Sequence, residues 1–313
     1  MKTAFIFPGQ GAQQVGMMSD LADASSAARD VFAAADEQLG YALSEICFHG
    51  PAERLDATDI AQPAMFVCSV AAAAAMEEAL GDNVPVATMA AGLSLGEYTA
   101  LHASGAIDFG PCLDLVTKRG RFMQEAAKAR PSGMVSIIGL DEKKVVELCV
   151  ASADGAVLTP ANFNCPGQIV ISGDIEACTR ATELAKEFGA TGAVVLKVAG
   201  AFHSEFMAPA AEQLAAAIAD VEIRRPEIPV IANVNAEPHG DTESIKDKLI
   251  RQVTSPVRWE QSIRRMLDNR IERFYEIGPG RVLAGLMRRI DRKVNVKSIN
   301  SADALAKLAG ELA

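Results

Sequence analysis

No C-x-x-C pair occurs among the six cysteines (Cys47, Cys68, Cys112, Cys149, Cys165 and Cys178), and the four histidines (His49, His102, His203 and His239) are equally dispersed. A redox dithiol and zinc-ligand spacing are therefore both missing, and no metal is expected. Several of the cysteines sit in apolar settings, where a thiol behaves as a small hydrophobe, which suits a reducing cytoplasm. Basic charge is also short: 30 Lys and Arg face 40 Asp and Glu, a net charge of −10. Phosphate backbones recruit the opposite balance, so nucleic acid is set aside as a partner. Only four apolar residues precede Pro8-Gly9-Gln10-Gly11, too few for the core of a secretory signal, and no export is expected. The longest uncharged stretch, Ile60 to Met76, is mostly alanine and contains Gln62, Pro63 and Ser69, which falls short of a membrane span. With aromatics at 5%, the core must be built from Val, Ile, Leu, Met and Ala; 313 residues at 50% hydrophobic content suffice for one large domain with a smaller one inserted.

The pattern along the chain is one of alternation. Thr3 to Phe7 reads as a buried strand ending at the Pro8-Gly9-Gln10-Gly11 turn, and Ser25 to Leu39 has helical spacing. Met65 to Leu80 is a strong helix, Val84 to Ala90 a strand that runs into Gly92-Leu93-Ser94-Leu95-Gly96, and Glu97 to Ala103 and Phe109 to Ala127 are helical. This order predicts an α/β fold with a mostly parallel sheet covered by helices on both faces. Beyond Arg130-Pro131-Ser132-Gly133 it changes to strand 134–140, helix 142–151, strands 156–162 and 168–172, helix 175–188 and strand 194–198. That β-α-β-β-α-β order is the ferredoxin-like unit. A small subdomain at 131–198 is thus expected within a large hydrolase-like one made of 1–130 and 199–313. Helices at 205–219 and 244–252 follow, then a strand at 273–277 and the turn Gly278-Pro279-Gly280.

Gly92-Leu93-Ser94-Leu95-Gly96 is a G-x-S-x-G pentapeptide between a predicted strand and a predicted helix. The glycines permit a tight turn that exposes the hydroxyl, and the helix start aims N–H groups at an oxyanion. Alone, this says acyl transfer or hydrolysis. Serine needs a base, and His203 follows a predicted strand in a loop that leads to a helix, where α/β folds gather active residues. A lone histidine is more often a satisfied surface or core residue, so chemistry makes His203 only the best of four. Arg119, in Lys118-Arg119-Gly120-Arg121, reads on pattern as a solvated cation, although its fork suits a carboxylate. A serine esterase or thioesterase would use the same elbow with an acid behind its histidine, and Asp108, Asp114, Asp141, Asp154 and Asp174 all lie between Ser94 and His203. A catalytically dead scaffold that binds a partner is the non-enzymatic alternative.

Phe7-Pro8-Gly9-Gln10-Gly11-Ala12-Gln13, the elbow from Gly92 to Tyr98, Arg119-Gly120, Asn162 to Gln168, Gly200 to Ser204 and Glu276 to Gly280 together resemble the malonyl-CoA:acyl carrier protein transacylases, in that family's order and across nearly the whole chain. Acyltransferase domains of fatty acid and polyketide synthases share these blocks. The resemblance implies Ser94 as the acylated nucleophile and His203 as its base, a dyad whose imidazole is oriented by a backbone carbonyl, with Gln252 matching the residue that supplies it. It implies an oxyanion hole from the N–H groups of Gln10 and Leu95, a carboxylate clamp at Arg119, and Asn162 near the histidine. Phe202 resembles members that take malonyl and exclude methylmalonyl. Leu93 departs from the family, which often has histidine before the nucleophile. No permanently bound cofactor is implied: malonyl-CoA is the substrate, and phosphopantetheine arrives on the acyl carrier protein. A monomer is suggested. An acidic carrier requires a positive patch, and Arg288, Arg289, Arg292 and Lys293 form the densest basic cluster, with Arg264 and Arg265 second.

Overall fold

The computed structural model describes residues 1–312, which form two sheets. The larger is wholly parallel, with strands β1 (Lys2–Phe7), β2 (Ala87–Gly92), β7 (Val230–Ile231), β8 (Ile271–Ile277) and β9 (Asn295–Ile299) in the order β7-β2-β1-β8-β9. Four residues of β1 are buried, as expected of a strand covered on both faces. On one face lie the helices Thr58–Leu80 and Phe109–Lys128; on the other, Trp259, Ile263 and Met266 of the helix Trp259–Asp268 pack with Ile6 and Phe274.

The smaller sheet is antiparallel: β3 (Ser132–Ile138), β4 (Leu158–Cys165), β5 (Gln168–Asp174) and β6 (Gly192–Val195), in the order β4-β5-β3-β6. Helices Glu142–Ala153 and Ile175–Leu184 cover it, each begun by an aspartate that accepts from the first turn: Asp141 from the Lys144 N–H and Asp174 from the Glu176 N–H. This is the expected ferredoxin-like arrangement, carried beside the parallel sheet as a second subdomain.

Differences from the sequence reading have physical causes. The helix expected over Met65–Leu80 begins seven residues earlier, at Thr58, and takes Pro63 into its second turn. Proline there forfeits one main-chain hydrogen bond. Burial of Ala61 through Ser69 offsets that loss. By length and apolarity alone residues 58–83 would suffice to cross a membrane, but most of the stretch is buried against neighbouring elements, as in a core helix. The two-residue β7 and the edge strand β9 carry little alternation and were not expected.

The sheet topology gathers loops. β1 and β2 are adjacent, with Phe7 opposite Gly92, so the chain leaves both at the same carboxyl edge. The small subdomain departs after the helix Phe109–Lys128 and returns beside it. A Cβ on Gly200 would lie 2.7 Å from that of Ala127, and the Ala201 N–H donates to Ser132 Oγ at 3.1 Å. This crossing delivers His203 to the carboxyl edge.

Candidate active site

Gly92 and Gly96 are imposed by close approach: a Cβ on Gly92 would fall 1.9 Å from the Gly96 carbonyl, and one on Gly96 2.2 Å from Phe7 O. Between them Ser94 adopts a left-handed φ of 52°, a strained conformation for a side chain with a Cβ. Side chains from distant segments hold it. The Ser94 N–H donates to Asn233 Oδ1 at 2.6 Å, and Gln252 Nε2 donates to the Ser94 carbonyl at 2.9 Å.

Ser94 Oγ lies 2.8 Å from His203 Nε2. The other ring nitrogen, Nδ1, lies 2.8 Å from the Gln252 carbonyl. A carbonyl only accepts, so Nδ1 carries the proton and Nε2 is left as the acceptor facing the hydroxyl. His203 is 5% exposed. Burial first, and then the charge of Arg119, push its pKa down to about 4, against smaller opposing effects of its main-chain hydrogen bonds. The imidazole is therefore neutral at ordinary pH.

Arg119 is 1% exposed, which overturns its reading as a solvated cation. It lies on the buried stripe of its helix with Cys112, Val116 and Met123, and the absence of a Cβ on Gly120, which would come 2.8 Å from Thr58 O, lets the helix Thr58–Leu80 approach. Nη1 donates to Gln62 Oε1 at 2.6 Å; Nη2 donates to Gln252 Oε1 at 2.8 Å and to Ser94 Oγ at 3.1 Å. Burial lowers its pKa, opposed by Tyr98 and Glu97. Among the described residues no carboxylate comes within ion-pair distance of it, and its Nε has no partner.

These groups open into a cavity of about 220 Å³ between the two sheets. Gln10, Leu95, Phe202, Asn162 and Asn164 line it, as does Leu93, which also packs against the apolar cluster containing Trp259. A Cβ on Gly9 would be 2.2 Å from Leu93 O, so the β1 loop touches the elbow. Among the described residues, neither the Gln10 nor the Leu95 N–H has an acceptor. Asn162 is fixed through its backbone by a bridge to Val257, while the buried Oδ1 of Asn164 has no partner.

Other candidates lie elsewhere. His49 is exposed beside Glu45, and His102 bonds the Ile107 carbonyl. Asp108 pairs with Arg224, Asp114 with Lys118, Asp141 and Asp174 cap helices, and Asp154 sits in a left-handed turn; none reaches His203. In the basic cluster, Arg288, Arg292 and Lys293 are exposed, whereas Arg289 is engaged: Nη1 donates to Gln168 Oε1 at 2.6 Å. Sequence reasoning missed Gln62, Asn233 and the buried pair Glu97–His239. Only Glu97 left a trace, as an acid among apolar residues after the elbow.

Comparison with known proteins agrees with this geometry. The acyl transferase domain model matches residues 4–311. The malonyl CoA-acyl carrier protein transacylase of Escherichia coli K12 is 41% identical over 303 residues, covering 97% of each chain. The solved malonyl CoA-acyl carrier protein transacylase of Coxiella burnetii superposes with a TM-score of 0.95 at 40% identity, covering 100% of this chain and 98% of that one. A malonyl-transacylase in complex with its type II PKS acyl-carrier protein also superposes with a TM-score of 0.95, at 38% identity over 99% of this chain and 100% of that one. Agreement of this extent in sequence and fold leaves one assignment: the chain belongs to the acyl transferase domain family and is an acyltransferase.

Proposed function

We propose that this protein transfers a malonyl group from malonyl-CoA to the phosphopantetheine thiol of an acyl carrier protein, through a malonyl ester on Ser94, and so supplies fatty acid synthesis. The observation that carries this reading is the buried guanidinium of Arg119, 3.1 Å from Ser94 Oγ and without a carboxylate partner among the described residues. A buried cation with only neutral partners favours an acyl group that brings its own negative charge.

In the first half-reaction His203 Nε2 takes the Ser94 proton as Oγ attacks the thioester carbon. The oxyanion forms against the Gln10 and Leu95 N–H groups; one such donor is worth about 3 kcal/mol in serine enzymes. The carbon–sulfur bond then breaks, and the CoA sulfur leaves with the proton from His203. In the second half the carrier's thiol gives its proton to His203 and attacks the ester carbon, and Ser94 Oγ recovers the proton as the carbon–oxygen bond breaks. The Gln252 carbonyl stabilises the imidazolium in both halves. No bound cofactor is called for, because each thioester brings its own reactive carbon and leaving group. Phe202 fills the space a methyl branch would take, and Asn162 borders the acyl group.

All these side chains come from one chain, so a monomer suffices, and six free, buried cysteines suit a reducing cytoplasm. The carrier approaches over the helix Val282–Ile290, whose Val282 and Leu286 line the cleft and which ends in Arg288 and Arg289, followed by Arg292 and Lys293. Polyketide synthesis is a second reading, favoured by the likeness to the transacylase solved with a type II PKS carrier. The KM values for the two kinds of carrier separate these pathways. Incubation with malonyl-CoA, with and without carrier, tests the transfer itself: a malonyl-Ser94 ester that accumulates and is released by the carrier thiol is expected, whereas rapid release to water would make the protein a hydrolase.

A further inference from the structure

Behind the cleft, Glu97 and His239 form a pair that touches neither the cavity nor the reacting atoms. Both side chains are wholly buried, with His239 Nε2 2.8 Å from Glu97 Oε1. The second carboxylate oxygen, Oε2, accepts the Asn233 N–H at 2.9 Å and Gln252 Nε2 at 2.7 Å. Sequestering an acid this deeply is costly unless its charge organises something.

What it organises is the direction of an amide. The two ends of a glutamine side chain have the same shape and opposite hydrogen-bonding character. A carboxylate only accepts, so Gln252 must turn Nε2 toward Glu97, which leaves Oε1 to receive Arg119 Nη2 at 2.8 Å. The reversed amide would set an NH2 group against a guanidinium, donor facing donor. With Oε1 in place, one hydrogen of each terminal nitrogen of Arg119 is held by a glutamine oxygen, Gln62 on Nη1 and Gln252 on Nη2, and the remaining Nη2 hydrogen reaches Ser94 Oγ.

We propose that Glu97, steadied by His239, is a positioning residue that fixes the amide direction of Gln252 and thereby aims the Arg119 guanidinium at the carboxylate of the acyl group. This rests on the malonyl reading above. It separates the duties of Gln252: its backbone carbonyl orients His203, while its side chain orients Arg119 through Oε1 and holds the Ser94 carbonyl as well as Glu97 through Nε2.

The test compares kcat/KM for Ser94 acylation by malonyl-CoA and by acetyl-CoA, which lacks the carboxylate, on one preparation of each variant, so that the folded fraction cancels from the ratio. Glu97→Met, similar in length but without a strong acceptor, should lower the malonyl-to-acetyl ratio about tenfold or more. Glu97→Gln, which can keep an oxygen facing Gln252 while the His239 tautomer switches, should preserve the ratio. Gln252→Met should lower it as Glu97→Met does, and the double variant should be no worse than Gln252→Met alone, because both act through one contact. A wild-type ratio in Glu97→Met, or full additivity in the double variant, overturns the proposal. If Glu97→Met yields no folded protein, His239→Leu must shift the ratio the same way, and an unshifted ratio there overturns it equally. Wild-type protein that is not acylated by malonyl-CoA is a different outcome, which removes the function and not this contact.

Discussion

At the carboxyl edge of the parallel sheet the interior is polar: Arg119, Glu97, Asn233, Gln252 and His203 are all buried and bonded to one another or to the Ser94 loop. The antiparallel sheet instead closes on Val135, Ile137, Leu148, Ile169 and Ile171, an apolar cluster of residues that ask only for volume. Dispersion and desolvation are non-directional, so the second region holds shape without aiming anything. In the first, each hydrogen bond fixes which atom faces which, and replacement of a group leaves a buried partner unsatisfied. The contrast separates two kinds of damage: loss of chemistry with the fold intact, and loss of fold with the chemistry intact in whatever remains folded.

Four substitutions sharpen that contrast. Ser94→Ala should abolish the acyl adduct altogether, with unchanged thermal unfolding; an adduct elsewhere in the cleft, seen by mass spectrometry, would shift the nucleophile. His203→Ala should slow acylation by about 10²- to 10⁴-fold, the usual worth of a general base, measured by rapid quench with malonyl-CoA. On the apolar side, Ile171→Ala should cost about 2–5 kcal/mol in denaturant unfolding while leaving kcat/KM per folded molecule unaltered. A fall in kcat/KM would mean that the small sheet tunes the cleft. Smallest is Arg288→Glu, which should raise the KM for the carrier protein by about threefold to tenfold, weakened further by salt, without changing self-acylation by malonyl-CoA. Arg288 is preferable to Arg289, whose bond to Gln168 ties the helix Val282–Ile290 to the small sheet.

How much of this was legible follows the same division. The elbow could be read because its constraints are local: Gly92 and Gly96 must be glycine to pass Phe7 and each other, and both lie within two residues of Ser94. The β-α-β-β-α-β order could be read because alternation and helical spacing are short-range properties. His203, Gln252, Gln10 and Leu95 were placed by family resemblance, and the geometry brings all four to the cleft or its wall. Gln62, Asn233 and His239 left no pattern, since each comes from a segment far along the chain and acquires its meaning only when another segment arrives beside it. Arg119 shows the cost of judging a cation by type: its place on a buried stripe with Val116 and Met123 was the better clue.

Arg119 also links the polar cluster to pH. An unperturbed histidine loses its proton near 6.5; in the free protein His203 does so at about 4, partly because of the arginine charge beside it. The basic, active form therefore persists to more acidic pH, and kcat/KM should hold its plateau well below pH 6.5. Removal of the charge should raise that pKa and move the acid limb upward.

The most direct test is kcat/KM for malonyl-CoA and acetyl-CoA in the wild type and in Arg119→Ala, followed across pH. The account predicts that the variant loses malonyl transfer, gains on acetyl in relative terms, and shows its acid limb at higher pH. The same preference for malonyl in both proteins would contradict it.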